Sequence, residues 1–179
     1  MSTVQSASVI RTSRLDLREL DFNDAEFILE LLNEAGFIRF IGDKGVRTLA
    51  DARDYIRHGP MDSYARNGFG LYAACLRNGT PIGICGLVKR EGLDDPDVGF
   101  AFLSRYWSSG YAVESAAAVL AHAVDTLHIR QVVAITSPDN WSSIAVLEKI
   151  GMKFQRRLRL DDHSPELKLF GLAPAGARP

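Results

Sequence analysis

Between Asp97 and Glu114 the chain reads Asp-Val-Gly-Phe-Ala-Phe-Leu-Ser-Arg-Tyr-Trp-Ser-Ser-Gly-Tyr-Ala-Val-Glu. The pattern predicts a strand from Asp97 to Ser104, a small polar turn at Ser108, Ser109 and Gly110, and a helix to about Leu127. A strand that enters a helix through such a turn gathers several backbone N–H donors at the positive end of the helix dipole. That is an anion-binding arrangement. No acidic residue lies between Ser104 and Val113, and Arg105 stands close by. The turn therefore reads as a seat for a pyrophosphate. A second polar group follows at Asn140-Trp141-Ser142-Ser143, where the Asn140 side chain can cap another helix.

These groups need a frame to hold them. Leu15, Leu17 and Leu20 alternate with charged residues in a first strand, Arg14 to Leu20. Asp21 caps a helix with Phe27, Ile28, Leu31 and Leu32 on one face. The segment Gly36 to Gly42 is apolar but too short to assign as a helix. Thr48 caps a second helical region, Ala50 to about Tyr64, interrupted at Gly59-Pro60. From Phe69 the period becomes two: Phe69–Leu76 and Pro81–Val88 are strands joined across Asn78-Gly79, a hairpin signal. After the helix that ends near Leu127 come a β-branched strand (Gln131–Thr136) and a helix from Ser142 to Ile150 stopped by Gly151. Two last strands, Phe154–Leu160 and Glu166–Leu172, complete the order β-α-α-β-β-β-α-β-α-β-β. The expected fold is α+β, a central mixed, mostly antiparallel sheet with helices on both faces. One domain is expected over residues 10–172, with flexible termini at 1–9 and 173–179.

The totals limit the function. The 179 residues, 46% hydrophobic and 24% charged, suit a single soluble domain. A net charge of −1 gives no electrostatic reason to bind nucleic acid or a membrane surface. No apolar run spans a bilayer and no signal peptide opens the sequence, so a cytoplasmic location is expected. Cys75 and Cys85 sit in apolar strands and read as buried free thiols. The four histidines show no metal-ligand spacing, so no metal site is expected.

The turn Tyr106-Trp-Ser-Ser-Gly-Tyr-Ala112 and the later Asn140-Trp-Ser-Ser-Ile-Ala-Val-Leu-Glu-Lys-Ile-Gly-Met152 segment, in this order of elements, resemble the GNAT superfamily of acyl-CoA-dependent N-acetyltransferases. The opening Arg11-Thr-Ser-Arg-Leu-Asp-Leu-Arg and the Trp-x-x-Gly-Tyr-Ala form of the turn are similar to its ribosomal-protein N-terminal (Rim-type) branch. The resemblance covers residues 11 to 172 and implies acetyl-CoA as co-substrate, with no metal. It implies that Ser108, Ser109, Gly110, Tyr111 and Ala112 bind the CoA pyrophosphate, with Arg105 nearby. It also implies that Phe102 and Leu103 bond the pantetheine arm by their backbone and that Asn140 bonds it from the other side. Ser143 would sit near the thioester sulfur. Asp97 stands where many relatives carry a Glu that helps deprotonate the acceptor amine. Phe37, Phe40 and Tyr72 are implied in the acceptor pocket. Leu147 occupies the place where many relatives have a Tyr that protonates the leaving thiolate, which leaves that acid unassigned. A homodimer is implied by the resemblance alone.

The chemistry narrows the acceptor. An α-amine titrates near 7.7–8.0 and a lysine near 10.4, while a thiol such as that of CoA resembles cysteine at about 8.5. A weak or water-relayed base therefore suffices for an α-amine and serves a lysine poorly. Direct attack in a ternary complex is expected, since no cysteine is placed as a nucleophile beside a base. A protein N-terminal amine is one acceptor of this kind. A small-molecule acceptor (polyamine, aminoglycoside or amino acid) and a CoA-binding regulatory module without transfer are the alternatives.

Overall fold

Leu15 and Leu17 alternate with Asp16 and Arg18, and this period-two pattern becomes the strand β2 (Leu15–Arg18), with both leucines fully buried. The computed structural model describes residues 7–172. Before β2 runs β1 (Ser8–Arg11), and after it come α1 (Ala25–Leu32), α2 (Ala35–Phe40), α3 (Leu49–Ile56) and α4 (Asp62–Asn67). The remaining elements are β3 (Leu71–Leu76), β4 (Pro81–Val88), β5 (Asp97–Phe102), α5 (Tyr111–Asp125), β6 (Val133–Thr136), α6 (Trp141–Lys149), β7 (Met152–Leu158) and β8 (Leu167–Leu172).

All eight strands form one sheet in the order β1-β2-β3-β4-β5-β6-β8-β7. Every neighbouring pair is antiparallel except β5 with β6. Successive side chains point to opposite faces. Tyr72, Cys85, Leu87, Val98 and Phe102 therefore pack with α5 and α6 on one face. Ala73, Cys75, Ile84 and Leu103 pack with α1, α2 and α3 on the other. Both thiols are free and buried, and burial pushes the Cys85 thiol up to about 12. The α+β class and the helices on both faces agree with the sequence.

Two elements depart from it. Ser8 and Val9, assigned to a flexible terminus, belong to β1, where Ser8 pairs with Arg18 of β2 and Val9 lies at a register shift. Only Ile10 of this edge strand is buried, so no alternation marks it in the sequence. The other residues assigned to flexible termini, except Ala7, lie outside the described residues. The segment Gly36–Gly42, left unassigned, contains α2, where Gly36 is accommodated because the Trp107 indole occupies the space of a side chain: a Cβ there would stand 2.7 Å from Cη2. The interruption at Gly59-Pro60 is a π-helical turn, Arg57–Met61, between α3 and α4.

Candidate active site

The parallel strands β5 and β6 meet at one pair only, Asp97 with Val133, where Val133 N–H also donates to Pro96 O (3.0 Å). Beyond that pair they part. The phase of the β4–β5 ladder says which groups face the gap. Leu103 N–H donates to Ile82 O (3.0 Å), so residues 97, 99, 101 and 103 bond to β4. Phe100 and Phe102 turn their N–H and C=O groups the other way, where β5 has no strand partner. Leu103 therefore does not share this role: its N–H is committed to β4, and its C=O accepts from Tyr106 N–H (2.9 Å). Phe100 instead turns its backbone groups to the gap, a placement that only the hydrogen-bond phase identifies. One acceptor on this edge is already in use, because Trp107 Nε1 donates to Phe102 O (2.7 Å).

Both helices that follow these strands start at the wide end of the gap, as in open α/β sheets whose ligands bind beyond the carboxyl ends of parallel strands. After β5 a 3-10 turn, Ser104–Tyr106, leads to Trp107. Ser108 (φ +59°) and Gly110 (φ +82°) then lie in the left-handed region. Gly110 is the N-cap of α5, and no side chain caps that helix, so its first N–H groups point into the turn. The Ser108–Ala112 turn stands where the sequence placed an anion seat.

The cation beside the turn is Arg14, which the sequence reading did not single out. Its Nη1 donates to Ser109 O (2.9 Å), and its guanidinium lies 4.5 Å from the centre of the Tyr111 ring. Glu114, in the first turn of α5, anchors it. That carboxylate accepts from Thr12 Oγ1 (2.6 Å), Ser13 Oγ (3.1 Å), Arg14 N (2.9 Å) and Arg14 Nε (2.6 Å). Burial pushes its pKa up, but these donors outweigh burial and hold it at about 2. Arg105, expected near the anion, instead pairs with Glu30 on α1. A guanidinium reaches the nearest carboxylate, and α1 supplies one.

On the other lip, Asn140 Oδ1 accepts from Ser143 N–H (3.2 Å) and so caps α6. The half-buried Ser143 hydroxyl has no hydrogen-bond partner among the described residues. Leu147 is buried in the core under α6, at 1% exposure. Helix α2 bridges the two lips. Glu34 just before it accepts from Ser104 N and Oγ (3.3 Å each), while Phe40 O accepts from Ser137 Oγ (3.3 Å).

Asp97 lies at the point where the strands part, on the face of α1–α3, and is 1% exposed. Arg90 Nε donates to its Oδ1 (2.8 Å). Burial pushes this carboxyl above the ordinary carboxylate range, and the Arg90 charge and hydrogen bond work against that rise. Of the expected acceptor residues, Phe40 is half-buried at the mouth of the gap. Phe37 is buried at 6% exposure among the core residues of α1 and α3. Tyr72 is excluded from any pocket at Asp97. It opposes Cys85, which opposes Phe100, so it lies on the other face of the sheet, stacked on Tyr64 at 5.7 Å. Alternation along β3 alone could not say which face is which.

The profile of the family described as "Acetyltransferase (GNAT) domain" matches residues 14–153. The uncharacterized N-acetyltransferase YnaD of Bacillus subtilis (strain 168) is 28% identical over 145 residues, covering 80% of this chain and 82% of that protein. Among solved structures, the acetyltransferase from Agrobacterium tumefaciens str. C58 superposes with a TM-score of 0.79 at 24% identity, covering 97% of this chain and 98% of that one. RimL, the ribosomal L7/L12 alpha-N-protein acetyltransferase solved with coenzyme A, superposes with a TM-score of 0.81 at 15% identity, covering 94% and 98%.

Proposed function

The chain belongs to the GNAT acetyltransferase family and is an acyltransferase, and from that membership we propose that it transfers an acetyl group from acetyl-CoA directly to an α-amine. One observation carries the reading: two parallel strands joined at a single residue pair, parting toward an uncapped helix N-terminus. The edge of β5 offers the N–H groups of Phe100 and Phe102 and the C=O of Phe100, which suit the amides of a pantetheine arm. The Ser108–Ala112 turn supplies N–H donors for the pyrophosphate, held in place by Arg14 and Glu114.

Acetyl-CoA supplies an activated thioester carbonyl. The protein's own part is to hold the amine against it and to take up a proton. Asp97 is the base of this reading. It stands where the strands part, and its raised pKa makes it a better proton acceptor when ionised. In this reading the Ser143 hydroxyl, which has no hydrogen-bond partner among the described residues, donates toward the sulfur side in place of a tyrosine at Leu147.

The reading is tested by thiol release from acetyl-CoA, followed with an amine panel and by mass spectrometry of the enzyme. Amine-dependent release without an acetylated enzyme is expected. Accumulation of an acetyl-enzyme on the route to product would overturn direct transfer. CoA binding with no release on any amine would leave a binding module.

A further inference from the structure

Trp107 joins three parts of the candidate site. Its C=O accepts from Ser109 Oγ (3.3 Å), inside the turn that precedes α5. Its Nε1–H donates to Phe102 O (2.7 Å), on the edge of β5 that faces the gap. Its six-membered ring lies against the first turn of α2, where a Cβ on Gly36 would stand 2.7 Å from Cη2 and 3.1 Å from Cζ2. Gly36 is not in the left-handed region, so its backbone does not call for glycine. Glycine weakens a helix relative to alanine. The close approach of the indole is what requires it here. Trp107 is 53% exposed, so burial alone is a weak reason for a tryptophan at this place.

Helix α2 lies on the face of the sheet where Asp97 sits. Its inner side is anchored by Phe37 in the core of α1 and α3. Its ties to the two lips are long or exposed. Glu34 meets Ser104 N and Oγ at 3.3 Å, and Phe40 O meets Ser137 Oγ at 3.3 Å. Arg39 meets Asp139 at 3.5 Å, with side chains 68% and 63% exposed. Exposed ion pairs of this kind hold little. The indole, fixed by its short bond to Phe102 O, is the rigid piece between α2 and the strand edge.

We infer that Trp107 is a positioning residue for the transfer: it sets the distance of α2 from the gap-facing edge of β5, and so the distance of the amine from the thioester. This rests on the transfer reading. An amine that approaches the parting of the strands on the Asp97 face passes α2, so a shift of that helix moves the amine and leaves acetyl-CoA in place. A pantetheine arm that runs from the Ser108–Ala112 turn along the edge of β5 passes the indole, whose Nε1–H already occupies Phe102 O.

Three variants and one spectroscopic probe test this. Gly36→Ala forces the indole away. It is expected to lower kcat with the most active amine of the panel about tenfold to a hundredfold, the loss that a misplacement of about 1 Å brings. CoA affinity by calorimetry should stay close to wild type. Trp107→Phe lacks Nε1, Cζ2 and Cη2 and should lower kcat comparably. Adding Gly36→Ala to it should cost little more, because the atoms that a Cβ meets are gone. Losses that multiply in the double variant would overturn the inference, as would a Gly36→Ala protein that loses Tm and keeps its kcat. The chain has two tryptophans, so Trp141→Phe leaves the emission of Trp107 alone, and this readout needs no turnover. CoA should shift that emission to shorter wavelength, and adenosine 3′,5′-bisphosphate, which lacks the pantetheine arm, should not. No shift with CoA, or the same shift with the bisphosphate, would overturn the placement of the indole beside the arm. A shift with CoA and no acetylated amine would leave the indole at the cofactor edge and remove the transfer reading.

Discussion

Replacing Glu114 by Gln keeps the shape of the side chain and removes its charge. The wild-type carboxylate accepts four hydrogen bonds, two from the backbone and guanidinium of Arg14, and its pKa falls from 4.5 to about 2. The full shift corresponds to roughly 3 kcal/mol, but this site is near solvent, and allowing for screening leaves about 1–2 kcal/mol. For a chain of this size that is a fall in Tm of about 2–8 °C. The sign in pH follows from the depressed pKa. The stabilisation is complete above the unfolded value of 4.5 and is lost as pH falls toward 2, with more than half gone by about pH 3. Urea unfolding of both proteins between pH 7 and pH 3 measures this. Arg14 also bonds Ser109 O, so calorimetry should show CoA affinity weakened several-fold in E114Q. Equal stability at pH 7, or a difference that does not shrink below pH 4.5, would refute the pairing as a source of stability. Unchanged CoA affinity would refute the brace as a support of the turn.

Gly110→Ala puts a Cβ on a residue at φ +82°, 3.2 Å from Arg14 Nη2. CoA affinity by calorimetry should fall at least tenfold, and an unchanged value would contradict the turn as a phosphate seat. Ser108→Gly relieves a left-handed serine at the same turn, which costs roughly 1–2 kcal/mol. Chemical unfolding should show a gain of up to about 1 kcal/mol after the added entropy of the unfolded chain, and a loss would show that the serine side chain stabilises the turn. Asp97→Asn should lower kcat about a hundredfold. In the wild type the acid limb of kcat should lie above the ordinary carboxylate value of 3.8, because burial raises this pKa and only the ionised form accepts a proton. Persistence of that limb in D97N would assign the base elsewhere.

The order of elements and the turn at Ser108–Gly110 were legible because they rest on local signals. Examples are alternation in Leu15–Leu17, the Asn78-Gly79 hairpin, and Thr48, whose capping box with Asp51 is present in the fold. Contacts between segments distant in the chain were not legible. Arg14 and Glu114 are a hundred residues apart, and nothing local marks them as partners. Arg105 looked like the cation of the turn until Glu30 on α1 claimed it. Which edge of β5 faces the gap depends on the hydrogen-bond phase, which turns Phe100 toward the gap and commits the Leu103 N–H to β4.

The most direct measurement of the central claim is the stoichiometry of thiol release with acetyl-CoA and an α-amine that the enzyme accepts. One free CoA thiol and one N-acetylated amine per turnover, with no acetylated protein, is the result predicted for direct transfer at the parting of β5 and β6. CoA that binds tightly while neither thiol nor acetylated amine appears across the panel would contradict it.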